Sequence, residues 1–536
     1  MLVPHSGCAG KDMWQEYNDT RTGLAIPKED LHTIDASGSD QKCSTFGIHP
    51  NLPHLQALYN QEDLLWVSNM GVLQQRVTKE DWRSKTDETS LFAHNVQYSE
   101  VHRMDIYEER AGRGMLGRMV DALLKNDFNA NSVSVKGIAE TLVSNLSPLF
   151  VIPSSGEYGK FDPMSSVGDS DPDVLLNKMK DMNKATSLGS SLFAETFSSL
   201  LFQGLAENQL LYEALQAVEL DTTFTKSAIS RQLETVAKMV KTKDTRGVDR
   251  DVFYVEMGGY DTHSNLKQSL DELTLDLNLA LEEFTSEMKF QGMWENSITL
   301  VMVSEFARTL TENTGQGSDH AWGGNYFLAG GAVDGKKILG EYPDDLSPDG
   351  PIVFEPGIVI PSTPWEAVWD GIAQWFGITN SHDLDQVLPN RNTFEDDLFP
   401  MNTLYAVTPK SPTLSPVQTS TGAPMKSPTA SPLQTSTDAP TKAPTGCSDS
   451  PLKMKVNGKA KTCQWVGKNI ANRCKKRGVK SHCPVTCSGP SFCSRDSTKK
   501  IQLKENGNWK TCNWVSKNSN KRCMKIGMRD TCRITC

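Results

Sequence analysis

No run of about 18 consecutive apolar residues occurs in this chain of 536 residues, and a helix needs roughly that many to cross a bilayer. The opening residues, MLVPHSGCAGKDMWQEY, also lack the charged start and apolar core of a secretory signal. Cysteine is almost missing from the body. Cys8 and Cys43 are alone in the first 446 residues, and the other ten cysteines stand between Cys447 and Cys536. Basic charge is scarce in the same body. Residues 447–536 hold 21 of the 55 Lys and Arg but only 4 of the 65 Asp and Glu, so that tail carries +17 and the remainder −27. The overall charge of −10 thus hides an acidic body joined to a basic tail, and such asymmetry bears on partners.

Three regions follow from composition. Residues 1–405 have ordinary globular sequence. The segment 406–446, with TPKSPTLSPVQTSTGAPMKSPTASPLQTSTDAPTKAPT at its centre, is Pro, Ser and Thr with almost nothing to bury, and reads as an extended linker. An internal repeat follows. TCQWVGKNIANRCKKRGVKSHCPVTC aligns with TCNWVSKNSNKRCMKIGMRDTCRITC, each with the spacing Cys-x10-Cys-x8-Cys-x3-Cys and an earlier cysteine, Cys447 or Cys493. Modules of this size, 447–490 and 491–536, cannot bury a sufficient core, so disulfides are expected to staple them. Zinc is the weaker alternative, because Cys-x2-Cys is missing and His482 is the single histidine there.

In the body the chemistry gathers in VFYVEMGGYDTHSN, residues 252–265. An apolar run over 251–257 reads as a buried strand closed by two glycines. Leu266, Leu270, Leu273, Leu277, Leu281, Phe284 and Met288 recur at helical spacing. SITLVMVS, 297–304, reads as a second strand. Strand, helix and strand predict a βαβ unit with paired parallel strands. Asp261, His263 and Glu305 then fall at the carboxyl ends of strands, where open α/β sheets bind ligands. GSDHAWGG adds Asp319 and His320 in a glycine-rich loop ahead of YFLAGGAV. Mixed carboxylate and imidazole donors suit Zn²⁺ or Mn²⁺ rather than Mg²⁺ or Ca²⁺. Arg308 could pair an anionic ester through bidentate hydrogen bonds. Each element has a plainer reading: Asp-x-His as a structural pair, Glu305 as a helix cap, Asp-His as an Asx turn. The five together favour a metal site.

GGYDTH, SEFART and GSDHAWGGNYFLAGGAVDGKKILGEYP, with LFAHNVQ and other pieces over about residues 1–400, resemble the family called domain of unknown function 1501. That family looks like part of the alkaline-phosphatase and sulfatase superfamily. The resemblance implies an α/β fold, a parallel sheet between helices with one or two metals at the strand ends. It implies hydrolysis or transfer of phosphate or sulfate esters. It also places His94 and Asn95 at the site, where His94 could instead be a buried structural histidine. In the family a Gly-Gly-x-Asp-Ser segment precedes the equivalent of Leu2-Val3-Pro4-His5, so a further strand, a ligand and a signal peptide are expected upstream of Met1. The Thr-Cys and Cys-x3-Cys elements of the tail resemble ShK-toxin-like modules of secreted proteins.

Two functions follow as expectations. One is a secreted metal-dependent hydrolase of small phosphate or sulfate esters. The other is a non-catalytic extracellular protein. In either, the basic tail holds an anionic polysaccharide or matrix, with no nucleic acid partner and no membrane span.

Overall fold

The structure, a computed structural model, describes residues 2–86, 91–105, 112–153, 181 and 192–406, and four short strands in the tail. The chain divides into two compact units, Met1–Val417 and Gln418–Cys536.

The first unit is mixed α/β. Strands β1 (Leu2–Cys8), β2 (His32–Asp35) and β3 (Cys43–Ile48) form an antiparallel sheet in the order β1-β3-β2. Cys8 and Cys43 face each other in that register and are joined by a disulfide. Closing a loop of 35 residues is worth roughly 4 kcal/mol in lost unfolded-chain entropy. Strand β4 (Leu64–Gly71) is buried at every residue, as its near-continuous apolar sequence LLWVSNMG requires. Strands β5 (Ala130–Ser134), β6 (Leu149–Val151) and β7 (Arg250–Tyr254) make a separate parallel sheet in the order β6-β5-β7. Strands β8 (Leu300–Val301), β9 (Gly324–Ala329) and β10 (Ile338–Leu339) join β4 in the order β10-β4-β9-β8. A small hairpin, β11 (Val353–Phe354) with β12 (Ile358–Val359), precedes β13 (Thr363–Pro364), which also pairs with β4.

The expected parallel sheet is therefore only part of the architecture. Strands β10 and β13 run parallel to β4, but β9 runs antiparallel to both β4 and β8. The strands expected over 251–257 and 297–304 shorten to β7 and β8, and they belong to different sheets. The reason is the connection after β8. The chain leaves as a long loop, 302–323, and returns directly as β9, so β8 finds its partner in its own hairpin. A parallel pairing would have required a crossover.

Five helices matter for the site: α1 (Pro53–Asn60), α2 (His94–Arg103), α3 (Ala228–Lys241), α4 (Leu266–Phe290) and α5 (Trp365–Phe376). Helix α4 packs against α3 and α1. Its buried face departs from the leucine stripe in the first half. Thr274 and Asn278 are buried there, whereas Leu270, Leu273 and Leu277 are only partly covered. Asn278 Oδ1 accepts from the backbone N–H of His54 at 2.9 Å, and Thr274 Oγ1 lies 3.2 Å from His49 Nδ1. Asn278 thus satisfies one of the first N–H groups of α1, which have no partner within the helix, and Thr274 packs on the His49 ring just ahead of it.

In the second unit, Met454–Val456 pairs with Lys459–Lys461, and Ile501–Gln502 with Trp509–Lys510, both antiparallel. The second strand of each pair ends two residues ahead of a cysteine, at Cys463 and Cys512, which align in the repeat. The linker beyond Ala406 and the rest of the two modules lie outside the described residues. Among the described residues, no helix is long and apolar enough to cross a membrane.

Glu366 lies in the first turn of α5 with 4 % of its surface exposed. Burial pushes its carboxyl up from 4.5 to about 7, against weaker lowering by its own backbone N–H and by Asn390. The folded state therefore holds a proton that the unfolded chain releases, and stability falls as pH rises from about 4.5 through 7. At about 1.4 kcal/mol per tenfold change in proton affinity, the loss reaches about 3 kcal/mol. Chemical denaturation of wild type and Glu366→Gln across that range should show the loss in wild type alone; parallel curves would refute the assignment.

Candidate metal centre

Three separate segments reach one exposed rim. The first is the loop between β7 and α4. Gly259 turns it with a φ of +99°, a conformation that side chains rarely tolerate. Asp261 and His263 follow that turn. The second is the β8–β9 connection, laced by an isolated antiparallel bridge between Arg308 and His320. Thr309 N donates to Asp319 O and Ala321 N to Ala307 O, each at 2.9 Å. The bridge sets Arg308 opposite His320, with Glu305 three residues before Arg308. The third is the start of α2, whose first residue is His94. The loops are also bonded to each other, through Ser318 N to Thr262 O at 3.0 Å.

Around Asp261 the three imidazoles present the same atom. His94 Nε2 lies 3.3 Å from Asp261 Oδ2. His263 Nε2 and His320 Nε2 lie 2.9 and 3.1 Å from Asp261 Oδ1, and 3.1 Å from each other. Each ring is held by its other nitrogen. His94 Nδ1 meets Glu305 Oε1 at 3.0 Å, His263 Nδ1 meets Asp319 Oδ1 at 2.8 Å, and His320 Nδ1 meets Phe92 O at 2.8 Å. Those partners are acceptors only, so each Nδ1 carries the N–H and donates. In a neutral ring Nε2 then holds a lone pair. Three such lone pairs and a carboxylate converge, an arrangement that calls for a cation or for protons. Phe306 stacks on His320 with ring centroids 4.3 Å apart and lies 4.8 Å from the His94 ring.

Positive charge already touches Asp261 from one side. Arg308 Nη1 donates to Oδ1 at 2.6 Å. Partial burial works to raise the Asp261 carboxyl, but the hydrogen bond and charge of Arg308, with those of His320 and His263 when their rings are protonated, outweigh it and hold it near 2. Asp319 is lowered too, first by its hydrogen bond with His263 and then by Asn313. Arg308 also donates Nη2 to Ser318 O and Nε to Ser318 Oγ. Among the described residues, three of its five N–H groups are thereby engaged.

The structure thus brings together Asp261, His263, Glu305, Asp319, His320, Arg308 and His94. Within that set, donor atoms of His94, Asp261 and His320 all lie within 4.8 Å of one another. His94 is exposed rather than buried in a structural role. Asn95 is exposed in the same first turn and, among the described residues, makes no hydrogen bond to the cluster. Sequence reasoning overlooked Asn313, which donates to both His263 O and Asp319 Oδ1. An asparagine followed closely by Gly315 and Gly317 was the available signal, since that pattern marks a tight side-chain-anchored turn. The Phe92 carbonyl and the Phe306 ring carry no such signal.

Residues 160–348 match the family model described as protein of unknown function (DUF1501). That is a shorter stretch than the 1–400 suggested by the motifs; it contains Asp261 through His320 but not His94 or Asn95. No curated protein matches, nor does any solved structure.

Removing the guanidinium should release the Asp261 carboxyl. In metal-free Arg308→Ala, carboxyl ¹³C titration should show the Asp261 pKa climbing from about 2 toward the ordinary aspartate value of about 3.9 or above. A value unmoved by the substitution would show that Arg308 is not what lowers it.

Proposed function

We propose that the first unit is a metal-dependent hydrolase of phosphate or sulfate esters. The convergence of three imidazole Nε2 atoms on Asp261, each ring fixed through Nδ1, carries this reading. The donor set fits a zinc-class ion. Mixed imidazole and carboxylate donors suit such an ion: His94, Asp261 and His320 bring donor atoms within 4.8 Å of one another, and His263 Nε2 stands 2.9 Å from Asp261 Oδ1 and 3.1 Å from His320 Nε2. His94, His263, His320 and Asp261 would hold the ion. Glu305, Asp319 and the Phe92 carbonyl would orient the rings, as acceptors behind metal-bound histidines commonly do. In this reading Glu305 and Asp319, expected from the sequence as ligands, would instead hold ligands.

When bound, such an ion supplies Lewis-acid charge and an acidified water. Arg308 would fix the ester's anionic oxygens with its two remaining N–H groups. The opening of the site suits a substrate that arrives from solvent: the side chains of His94, Asp261 and His263 each remain 46 % exposed. The likeness to the alkaline-phosphatase and sulfatase superfamily supports the choice of reaction. The Cys8–Cys43 disulfide and the cysteine-dense tail support an oxidising, extracellular compartment. The tail, with +17 over residues 447–536, would tether the body to an anionic polysaccharide through ShK-like modules.

Purified full-length protein should bind Zn²⁺ or Mn²⁺ and cleave p-nitrophenyl phosphate or sulfate. Alanine at His94, His263 or His320 should each weaken metal binding by at least about tenfold. Affinity should fall as pH drops, because protons compete for the three Nε2 atoms. Wild-type affinity in both His94→Ala and His320→Ala would dismiss the centre, and metal binding without ester cleavage would leave a non-catalytic body. The tail is tested separately on the full chain. Retention on a heparin column at low salt should collapse above roughly 0.5 M salt, where screening shortens to a few ångströms; passage without retention would exclude polyanion binding.

A further inference from the structure

Asn313 makes four side-chain hydrogen bonds to three parts of the chain. Its Oδ1 accepts from Gly315 N at 2.9 Å and Gly317 N at 3.0 Å. Its Nδ2 donates to His263 O at 3.1 Å and to Asp319 Oδ1 at 3.0 Å. These use both donors and both acceptor positions of the amide, so the side chain has one orientation. The turn it closes lies directly on His263. A Cβ at Gly317 would stand 2.2 Å from the His263 carbonyl carbon, and one at Gly315 2.8 Å from its oxygen. The same turn receives the chain leading into α4, with Asn265 N donating to Gly315 O and Leu266 N to Gln316 O.

Asp319 Oδ1 therefore sits between two donors, Asn313 Nδ2 and His263 Nδ1. The first fixes the carboxylate; the carboxylate then fixes which nitrogen of His263 carries the proton. We infer that Asn313 is a positioning residue for the centre, keeping His263 in the Nδ1–H form whose Nε2 can accept a metal. This rests on the proposed metal centre, but the tautomer can be read without any metal.

The side chain's two roles can be separated by substitution. Asn313→Asp keeps oxygen acceptors for Gly315 and Gly317 while losing both donors, and it sets a carboxylate against Asp319. Asn313→Ala removes all four bonds. Imidazole ¹⁵N shifts of the metal-free full-length protein, with His263 assigned by its absence in His263→Ala, report the tautomer. Wild type should show Nδ1–H at His263, and both Asn313 variants a mixture. Zn²⁺ affinity should fall about 10- to 100-fold in both, the usual cost of losing an outer partner. Should Asn313→Ala not fold, Asn313→Asp alone decides. Retention of the Nδ1–H form, with Zn²⁺ affinity within threefold of wild type, overturns the inference. If wild type binds no Zn²⁺, the metal centre fails, and the tautomer shift by itself upholds or overturns the role of Asn313.

Discussion

Lone pairs cannot crowd together without a positive partner, and that constraint governs the rim around Asp261. His94, His263 and His320 each spend Nδ1–H on an acceptor and turn Nε2 inward. Arg308 compensates the carboxylate from one side only. The other side is left to protons or to a metal. Every larger feature of the site serves this local balance: Glu305, Asp319 and the Phe92 carbonyl hold the rings from outside, and Asn313 holds Asp319.

Such balance needs segments distant in sequence to meet accurately, and the mixed sheet provides it. Strand β4 is buried throughout and pairs on both sides, fixing β9 in place. Because β9 returns antiparallel to β8, the two ends of the 302–323 loop are anchored side by side. The Arg308–His320 bridge then continues that hairpin into the site. The β7–α4 loop, which starts from a different sheet, is brought in by Ser318, Asn313 and the close approach of Gly317 to His263. The clustered side chains are thus carried on two loops and one helix start, and the strands and turns beneath them fix where those segments meet.

The division between an acidic body and a basic, cysteine-dense tail is a separate matter of composition. Between them in sequence, residues 406–446 are Pro, Ser and Thr with little that could be buried. The repeat in the tail shows again in its described strands, where two short antiparallel pairs precede equivalent cysteines. Fold and composition thus make distinct statements, one about donor groups gathered at a rim and one about how charge and cysteine are distributed along the chain.

Much of the site was legible in the sequence. Asp-x-His after a glycine pair, Glu305 and Arg308 after an apolar run, and Asp-His in a glycine-rich loop are local patterns, and local patterns fix residue types and their places on loops. Helix α4 was legible from its leucine spacing, though not the burial of Thr274 and Asn278. That burial depends on what the start of α1 needs and is a property of the contact, not of the helix. The pairing of β7 and β8 was misjudged for a related reason. A short apolar run can join any sheet, and only the hairpin return of β9 decides which. Which histidine nitrogen points inward, which carboxylates serve as holders, and the part played by Asn313 arise from distances between segments far apart in the chain. Sequence alone determined the donor types, the turns that expose them and the charge of the tail; tertiary structure decided their geometry, because hydrogen-bond direction exists only once the partners are in place.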